Sequence, residues 1–161
     1  MQRRSFVAAL LSGGTGPAVG NGSAAAATKC STPSGGLGEQ DFRSYIAAFN
    51  RSDFPGFSKY YADNVEFEGR GGHFKSRVEV LAFYREVKSR MRETITINDL
   101  VVGETDITAD LVTELVAYRD WPEFPTGPVK KGEVIMSENF IWYEIKDGKF
   151  MHIRSAGYRR L

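Results

Sequence analysis

The side chains best suited to moving a proton in this chain are Glu66 and Glu68, then Asp110 and Glu114. A carboxylate in an apolar pocket has its pKa raised, which fits it to take and return a proton near neutral pH. Glu114 interrupts the apolar run Val112-Thr113-Glu114-Leu115-Val116. Strand parity groups it with Asp110 and Tyr118, opposite Leu111, Leu115 and Arg119, and leaves open which face turns inward. Each of these carboxylates also reads as an ordinary exposed strand residue. Tyr45 is the candidate acid, since its hydroxyl could donate to an oxygen that gains charge in an enolisation or aldol step. Its plainer reading is a core tyrosine bonded to a neighbour. His73 follows Gly71-Gly72 and could serve as acid or base at a pocket mouth, or be a half-exposed loop residue.

The segment from 136 to 158 must position much of this. Two runs rich in aromatic and β-branched residues flank Lys146-Asp147-Gly148, the pattern of a long β-hairpin. Ser137, Asn139, Ile141 and Tyr143 share one face of its first strand, and Met136, Glu138, Phe140 and Trp142 the other. An amide among aromatic residues needs partners if buried, so Asn139 either lines a pocket or bonds within the core. Ser137 is its weaker companion. Phe49, Tyr61, Phe83, Tyr118, Trp121, Ser137, Asn139 and Ile141 are the expected substrate-binding residues. His152 and Arg154 share a face of the last strand that is expected to meet solvent or a partner subunit.

Before the hairpin, Phe42, Tyr45, Ile46 and Phe49 recur at helical spacing, giving a first helix over 39–51. A short helix is expected over 57–61, a strand over 65–68 and a loop over 69–72. Ser76 with Glu79 reads as a capping box for a third helix ending near Arg90. Strands follow over 93–102, 107–119, 133–145 and 149–158. The Pro-rich stretch 121–128 is a stiff loop whose Trp121 and Phe124 could cover a pocket or a neighbouring subunit. The expected fold class is α+β, with helices across one face of a curved sheet.

The chain has 161 residues, is 42% hydrophobic and carries a formal net charge of +1. That fits one globular domain and gives no support to nucleic-acid binding, which calls for a concentrated basic field. The single Cys30 cannot form an internal disulfide, and His73 and His152 are too few for most histidine-based metal sites, so no cofactor or metal is expected. Residues 1–36 differ from the rest. Arg3-Arg4-Ser5-Phe6-Val7, a short apolar run and the small residues Ser23 to Ala27 suggest a twin-arginine-type export signal followed by a linker. The mature domain, 37–161, would then be periplasmic or secreted; without a signal it would be cytoplasmic. The apolar run is too short to span a membrane.

Tyr45-Ile46-Ala47-Ala48-Phe49-Asn50, Asp53 and Tyr60-Tyr61-Ala62-Asp63-Asn64-Val65-Glu66-Phe67, with the helix from Ser76 and the Asp147-Gly148-Lys149 turn, resemble the SnoaL-like group of the nuclear transport factor 2-like superfamily. The resemblance implies a cone-shaped fold, with three N-terminal helices packed on a curved, mostly antiparallel sheet, and a homodimer formed through the outer sheet face. Relatives include ketosteroid isomerase, scytalone dehydratase, limonene-epoxide hydrolase and polyketide cyclases, besides non-catalytic binding domains. By similarity to ketosteroid isomerase, Tyr45 takes the place of an oxyanion-hole tyrosine. Gly69 stands where that family has its base, with Glu68 one residue earlier, and the second oxyanion donor falls near Glu138 or Asn139. Ser137 and Asn139 match substrate-contacting residues of scytalone dehydratase, whose catalytic histidines have no equivalents here. The Arg-Asp network of the epoxide hydrolases is not recognisable.

Two functions follow as expectations. One is a cofactor-free isomerase, cyclase or dehydratase moving a proton on a small apolar carbonyl or polyketide-like compound. The other is a non-catalytic protein that binds a small apolar ligand or assembles as a dimer. A base facing Tyr45 across the pocket distinguishes the first from the second.

Overall fold

The computed structural model describes residues 36–161. The export-signal reading and Cys30 lie outside the described residues. Helix α1 (Glu39–Asn50) buries Phe42, Tyr45, Ile46, Ala48 and Phe49, so its apolar stripe is the face packed inward. Each of its large side chains contributes about 1.5–3 kcal/mol by leaving water. The Asp41 carboxylate accepts from the Gly38 N–H at the helix start. Helix α2 (Phe54–Ser58) begins earlier than expected because Asp53 caps it, accepting from the Gly56 N–H, and Pro55 fits its first turn.

Strand β1 (Tyr61–Gly69) is longer than the expected 65–68, and a short β2 (Gly72–Phe74) replaces part of the expected loop by pairing back on it. Helix α3 (Arg77–Arg90) starts at Ser76, whose hydroxyl accepts from the Glu79 N–H. Glu79 reaches back to the Lys75 N–H rather than to Ser76. Then come β3 (Met91–Val102), β4 (Asp106–Ala117), β5 (Val134–Lys146) and β6 (Lys149–Arg160). The β5–β6 hairpin turns at Asp147 and Gly148, both with positive φ (51° and 66°), as a two-residue type I′ turn requires.

The expected cone requires correction. The strands form one open, mixed sheet in the order β2-β1-β6-β5-β4-β3. Neither edge strand pairs with the other, so the sheet is not closed, and β1 runs parallel to β6. The long meander β3 to β6 is antiparallel throughout. A chain that enters the sheet beside its last strand must pair with it in whichever direction the intervening helices deliver it, and here that direction is parallel. The α+β class and the three N-terminal helices stand.

The main core lies between α1 and one sheet face, where Phe42, Tyr45, Phe49, Phe57, Tyr61, Tyr143 and Phe150 pack mostly edge to face. A smaller cluster joins the end of α3 to the Pro-rich loop through Val87, Met91, Trp121, Phe124 and Val129. That loop is pinned across its base, since Trp121 and Val129 exchange N–H···O bonds of 2.7 and 3.1 Å. No helix among the described residues is long and apolar enough to cross a membrane.

Candidate functional site

One sheet face, the α3 side and the Pro-rich loop enclose a cavity of about 160 Å³. An engineered apolar cavity of about 150 Å³ holds benzene, so this one accepts a small ring. Its sheet wall follows from register. Glu93 lies beside Leu115 and Ile135, Ile95 beside Thr113 and Ser137, and Leu111 beside Asn139 and Gly157. Side chains alternate along each strand, so Glu93 and Ile95, Thr113 and Leu115, and Ile135, Ser137, Asn139, Ile141 and Tyr143 all face the cavity. Phe83 and Tyr84 close it from α3, and Phe124 and Thr126 from the loop.

Glu93 is the carboxylate in this wall. It is half-buried, and the surface it exposes is on the cavity side. Burial pushes its pKa from 4.5 up to about 7, and the positive charge of Lys88 only partly opposes this. Lys88 is itself pulled down by burial, with Glu93 opposing. Its ammonium is committed elsewhere: it donates to the Phe49 carbonyl at 2.9 Å and lies 3.9 Å from the Phe49 ring centre. Two bonds fix this part of β3 to α1. The Asn50 side chain donates to the Ile95 carbonyl and accepts from the Ile95 N–H, both at 2.8 Å.

A set of tyrosines surrounds the inner end. Tyr45, Tyr84 and Tyr143 line the cavity, and the Tyr45 hydroxyl is 2.9 Å from that of Tyr61. Burial raises the pKa of all four well above the ordinary phenol value, so they stay protonated donors at neutral pH. Glu93 adds to that rise in each case, so its charge is felt across the tyrosine set. Asn139 turns its amide nitrogen to Thr113 Oγ1, Ser137 O and Ser137 Oγ, each at 3.2 Å.

Of the residues singled out in the sequence, Tyr45, Phe83, Ser137, Asn139 and Ile141 line this cavity. Phe49 and Tyr61 are buried in the core beside it, and Trp121 sits in the smaller cluster under the Arg90 guanidinium. Tyr118 is half exposed and away from it. The four carboxylates and His73 all point from the opposite sheet face. Glu66 bonds His73 at 2.7 Å and His152 at 2.5 Å, and Glu114 pairs with Arg92 at 3.0 Å. Asp110 accepts from the Tyr158 hydroxyl at 3.2 Å. Glu68 lies 3.6 Å from both His73 and Arg154. The placement of Glu68 and Glu114 therefore does not serve a reaction in the cavity. Glu66, Glu68 and His73 bring donor atoms within 4.8 Å of one another and could hold a cation, on the face away from the cavity.

Glu93 escaped sequence reasoning, although a signal existed. Met91, Glu93, Ile95 and Ile97 alternate as the apolar face of β3, and one member is a carboxylate. A charge within a single apolar stripe is the pattern that Glu114, in a run apolar on both faces, only imitates.

Residues 42–153 match the family model of the SnoaL-like domain. The chain belongs to the SnoaL-like family. No curated protein matches it. Solved structures share the fold. A SnoaL-like polyketide cyclase from Agrobacterium tumefaciens is 15% identical, with a TM-score of 0.60 over 74% of this chain and 89% of that one. An LEH-like epoxide hydrolase from M. tuberculosis is 12% identical, with a TM-score of 0.60 over 74% and 80%. An NTF2-like protein of unknown function from Burkholderia pseudomallei is 18% identical, with a TM-score of 0.59 over 74% and 88%. The SnoaL-like fold thus carries several chemistries, and the cavity of each member has to be read for itself.

Proposed function

We propose that this SnoaL-like protein is a cofactor-free proton-transfer enzyme acting on a small, largely apolar carbonyl compound, with Glu93 as its base. The observation that carries the reading is the position of Glu93: a carboxylate in the wall of a cavity of mixed polar and apolar lining, its pKa raised to about 7 by burial, with protonated tyrosines lining the same cavity. A group with a pKa near the working pH balances being deprotonated against being basic enough to act. In the reaction, Glu93 takes the proton from the carbon next to the carbonyl, and the C–H electron pair moves into an enolate. Return of the proton to the same or a conjugated carbon gives exchange or isomerisation.

Tyr45 supplies the oxygen-side donor. Either hydroxyl of the Tyr45–Tyr61 pair can donate, and in the arrangement where Tyr61 does so the Tyr45 proton is free to point into the cavity. A hydroxyl that accepts one bond donates a stronger second one. The relatives described as a polyketide cyclase and an epoxide hydrolase support the choice of a small oxygen-bearing substrate. The opposite sheet face suits a second copy of the chain. Phe140 and Tyr158 stack there at 4.6 Å while each stays about half exposed (51% and 49%). Export through the twin-arginine-like N-terminus would place the activity in the periplasm.

The test does not require the natural substrate. Enolisable aryl ketones and cyclic diketones are incubated with protein in D2O, and loss of the α-proton signal is followed by NMR. Catalysed exchange that disappears in Glu93→Gln supports the reading. Exchange that persists in Glu93→Gln removes Glu93 as base. Binding of the panel without exchange supports the non-catalytic reading, which the internal bonding of Asn139 to Ser137 and Thr113 favours.

A further inference from the structure

The cavity rim carries positive charge that the protein leaves largely unanswered. Arg70 and Arg160 both line the opening. Arg70 projects from the turn between β1 and β2 and is exposed, with its side chain turned toward the sheet. It lies back over β6, close enough that a Cβ added at Gly157 would sit 3.1 Å from Arg70 Nη1 and 3.2 Å from Arg70 Cδ. The same point is 3.0 Å from Asn139 Oδ1. Glycine at 157 leaves the guanidinium uncrowded beside Asn139, where a Cβ would press on both side chains. Asn139 is already oriented by the bonds from its nitrogen, so its oxygen is the end turned toward Arg70.

Among the described residues Arg70 makes no ion pair. Glu68, two residues earlier, faces the other side of the sheet and shares Arg154 and His73 there. Glu138 is taken by Arg159, at 2.5 and 2.8 Å. Arg160 reaches only Glu133, at 3.9 Å and on the surface. Glu93 lies on β3, at the far edge of the sheet from β1. The cavity thus has a cationic rim at one end and a proton-transfer carboxylate at the other.

We infer that this cavity selects ligands that carry a carboxylate: the Arg70 guanidinium, folded over Gly157 and supported by Arg160, holds the carboxylate at the rim while the apolar body extends inward toward Glu93. A planar guanidinium fork matches the two oxygens of a carboxylate, and partial removal from water strengthens the pair. Placing the anion at the far end of the ligand from Glu93 also keeps like charges apart. The inference deepens the proposed function by naming the substrate class, and it rests on the cavity being the ligand site, not on catalysis by Glu93.

The test therefore reads binding alone. The probes are 3-phenylpropanoate and its neutral counterpart 3-phenylpropanamide, titrated into the full chain and followed by protein NMR shifts at pH 8 and low salt. The ring suits the cavity volume and the short tether reaches the rim. The acid is expected to bind about tenfold tighter than the amide, as a charge-assisted pair at a partly wet site provides. Arg70→Gln should erase the difference, Arg160→Gln should reduce it, and Arg70→Lys, which keeps charge but loses the fork, should retain part of it. Gly157→Ala should weaken the acid selectively by displacing Arg70. Equal binding of acid and amide, an unchanged preference in Arg70→Gln, or no binding of either at millimolar concentration would overturn the inference. A carboxylate preference that survives in a protein with no exchange activity would sink the proton-transfer reading and leave this one standing.

Discussion

The two faces of one sheet carry the same kind of group and give it opposite fates. On the outer face Glu66 is held below the ordinary carboxylate range by hydrogen bonds from His73 and His152. Glu114 has Arg92. On the inner face burial dominates for Glu93, and its carboxyl rises to about 7. The outer carboxylates have hydrogen-bond or ion-pair partners and stay in contact with water. The inner one is neutral for part of the physiological range and bordered by tyrosines. Residue type does not separate them; access to water and to a partner does.

Removing the carboxylates one at a time should break that symmetry most strongly in activity. Glu93→Gln is expected to lower catalysed α-proton exchange by about 10²–10⁴-fold, the usual contribution of a positioned general base. The wild-type exchange rate should climb as pH rises through about 7 and then level off, following ionisation of Glu93. Glu66→Gln and Glu114→Gln should leave the rate within about twofold. If Glu114→Gln abolished exchange and Glu93→Gln did not, the roles of the two faces would be exchanged.

The same residue should make the protein less stable at neutral pH than in mild acid. In the folded chain Glu93 keeps its proton up to about pH 7, whereas the unfolded chain loses it near 4.5. Between those values the folded state binds more protons, so stability falls as pH rises across the window and is constant above it. The penalty at pH 8 is on the order of 3 kcal/mol. Glu93→Gln should therefore raise the melting temperature at pH 8 and change it little at pH 4. An equal shift at both pH values would point to a packing effect rather than to a buried charge.

How much of this the sequence showed depends on the range of the interactions involved. Helix α1, the Ser76 cap and the Asp147-Gly148 turn are set by neighbours a few residues apart, and their signals are local. The cavity face of β5 was legible because Ser137 and Asn139 break an aromatic strand at alternate positions. The parallel join of β1 to β6 was not legible, since those strands are some 80 residues apart and nothing near either one states their direction. The inward carboxylate was missed for a related reason. Met91, Glu93, Ile95 and Ile97 alternate locally, but only pairing with β4 and β5, which sets Glu93 beside Leu115 and Ile135, shows that their face is the cavity wall rather than the solvent side.

The clamp between α1 and β3 tests whether the inner face depends on long-range positioning. Asn50→Ala would leave the Ile95 N–H and carbonyl without partners in a partly buried place. The expected cost is about 2 kcal/mol of stability, measured by chemical denaturation. Exchange activity should also fall, because Ile95 and Glu93 share a strand face. Full activity in a destabilised Asn50→Ala would show that Glu93 is held by its own strand alone.

The smallest effect is expected on the outer face, where the comparison is sharpest. Replacing both His73 and His152 by Ala removes the hydrogen bonds that hold Glu66 low. Glu66 contributes stability above the unfolded carboxylate range and loses it as pH falls through its depressed folded value, so any loss in the double variant appears at neutral pH and vanishes in acid. Exposed pairs of this kind contribute little, because water solvates the separated ions almost as well. The melting temperature at pH 7 should drop by about 2 °C or less. A large drop would mean that this cluster is buried in the working assembly, as it would be if a second copy covers the outer face, and dilution of the wild-type protein should then lower its melting temperature as well.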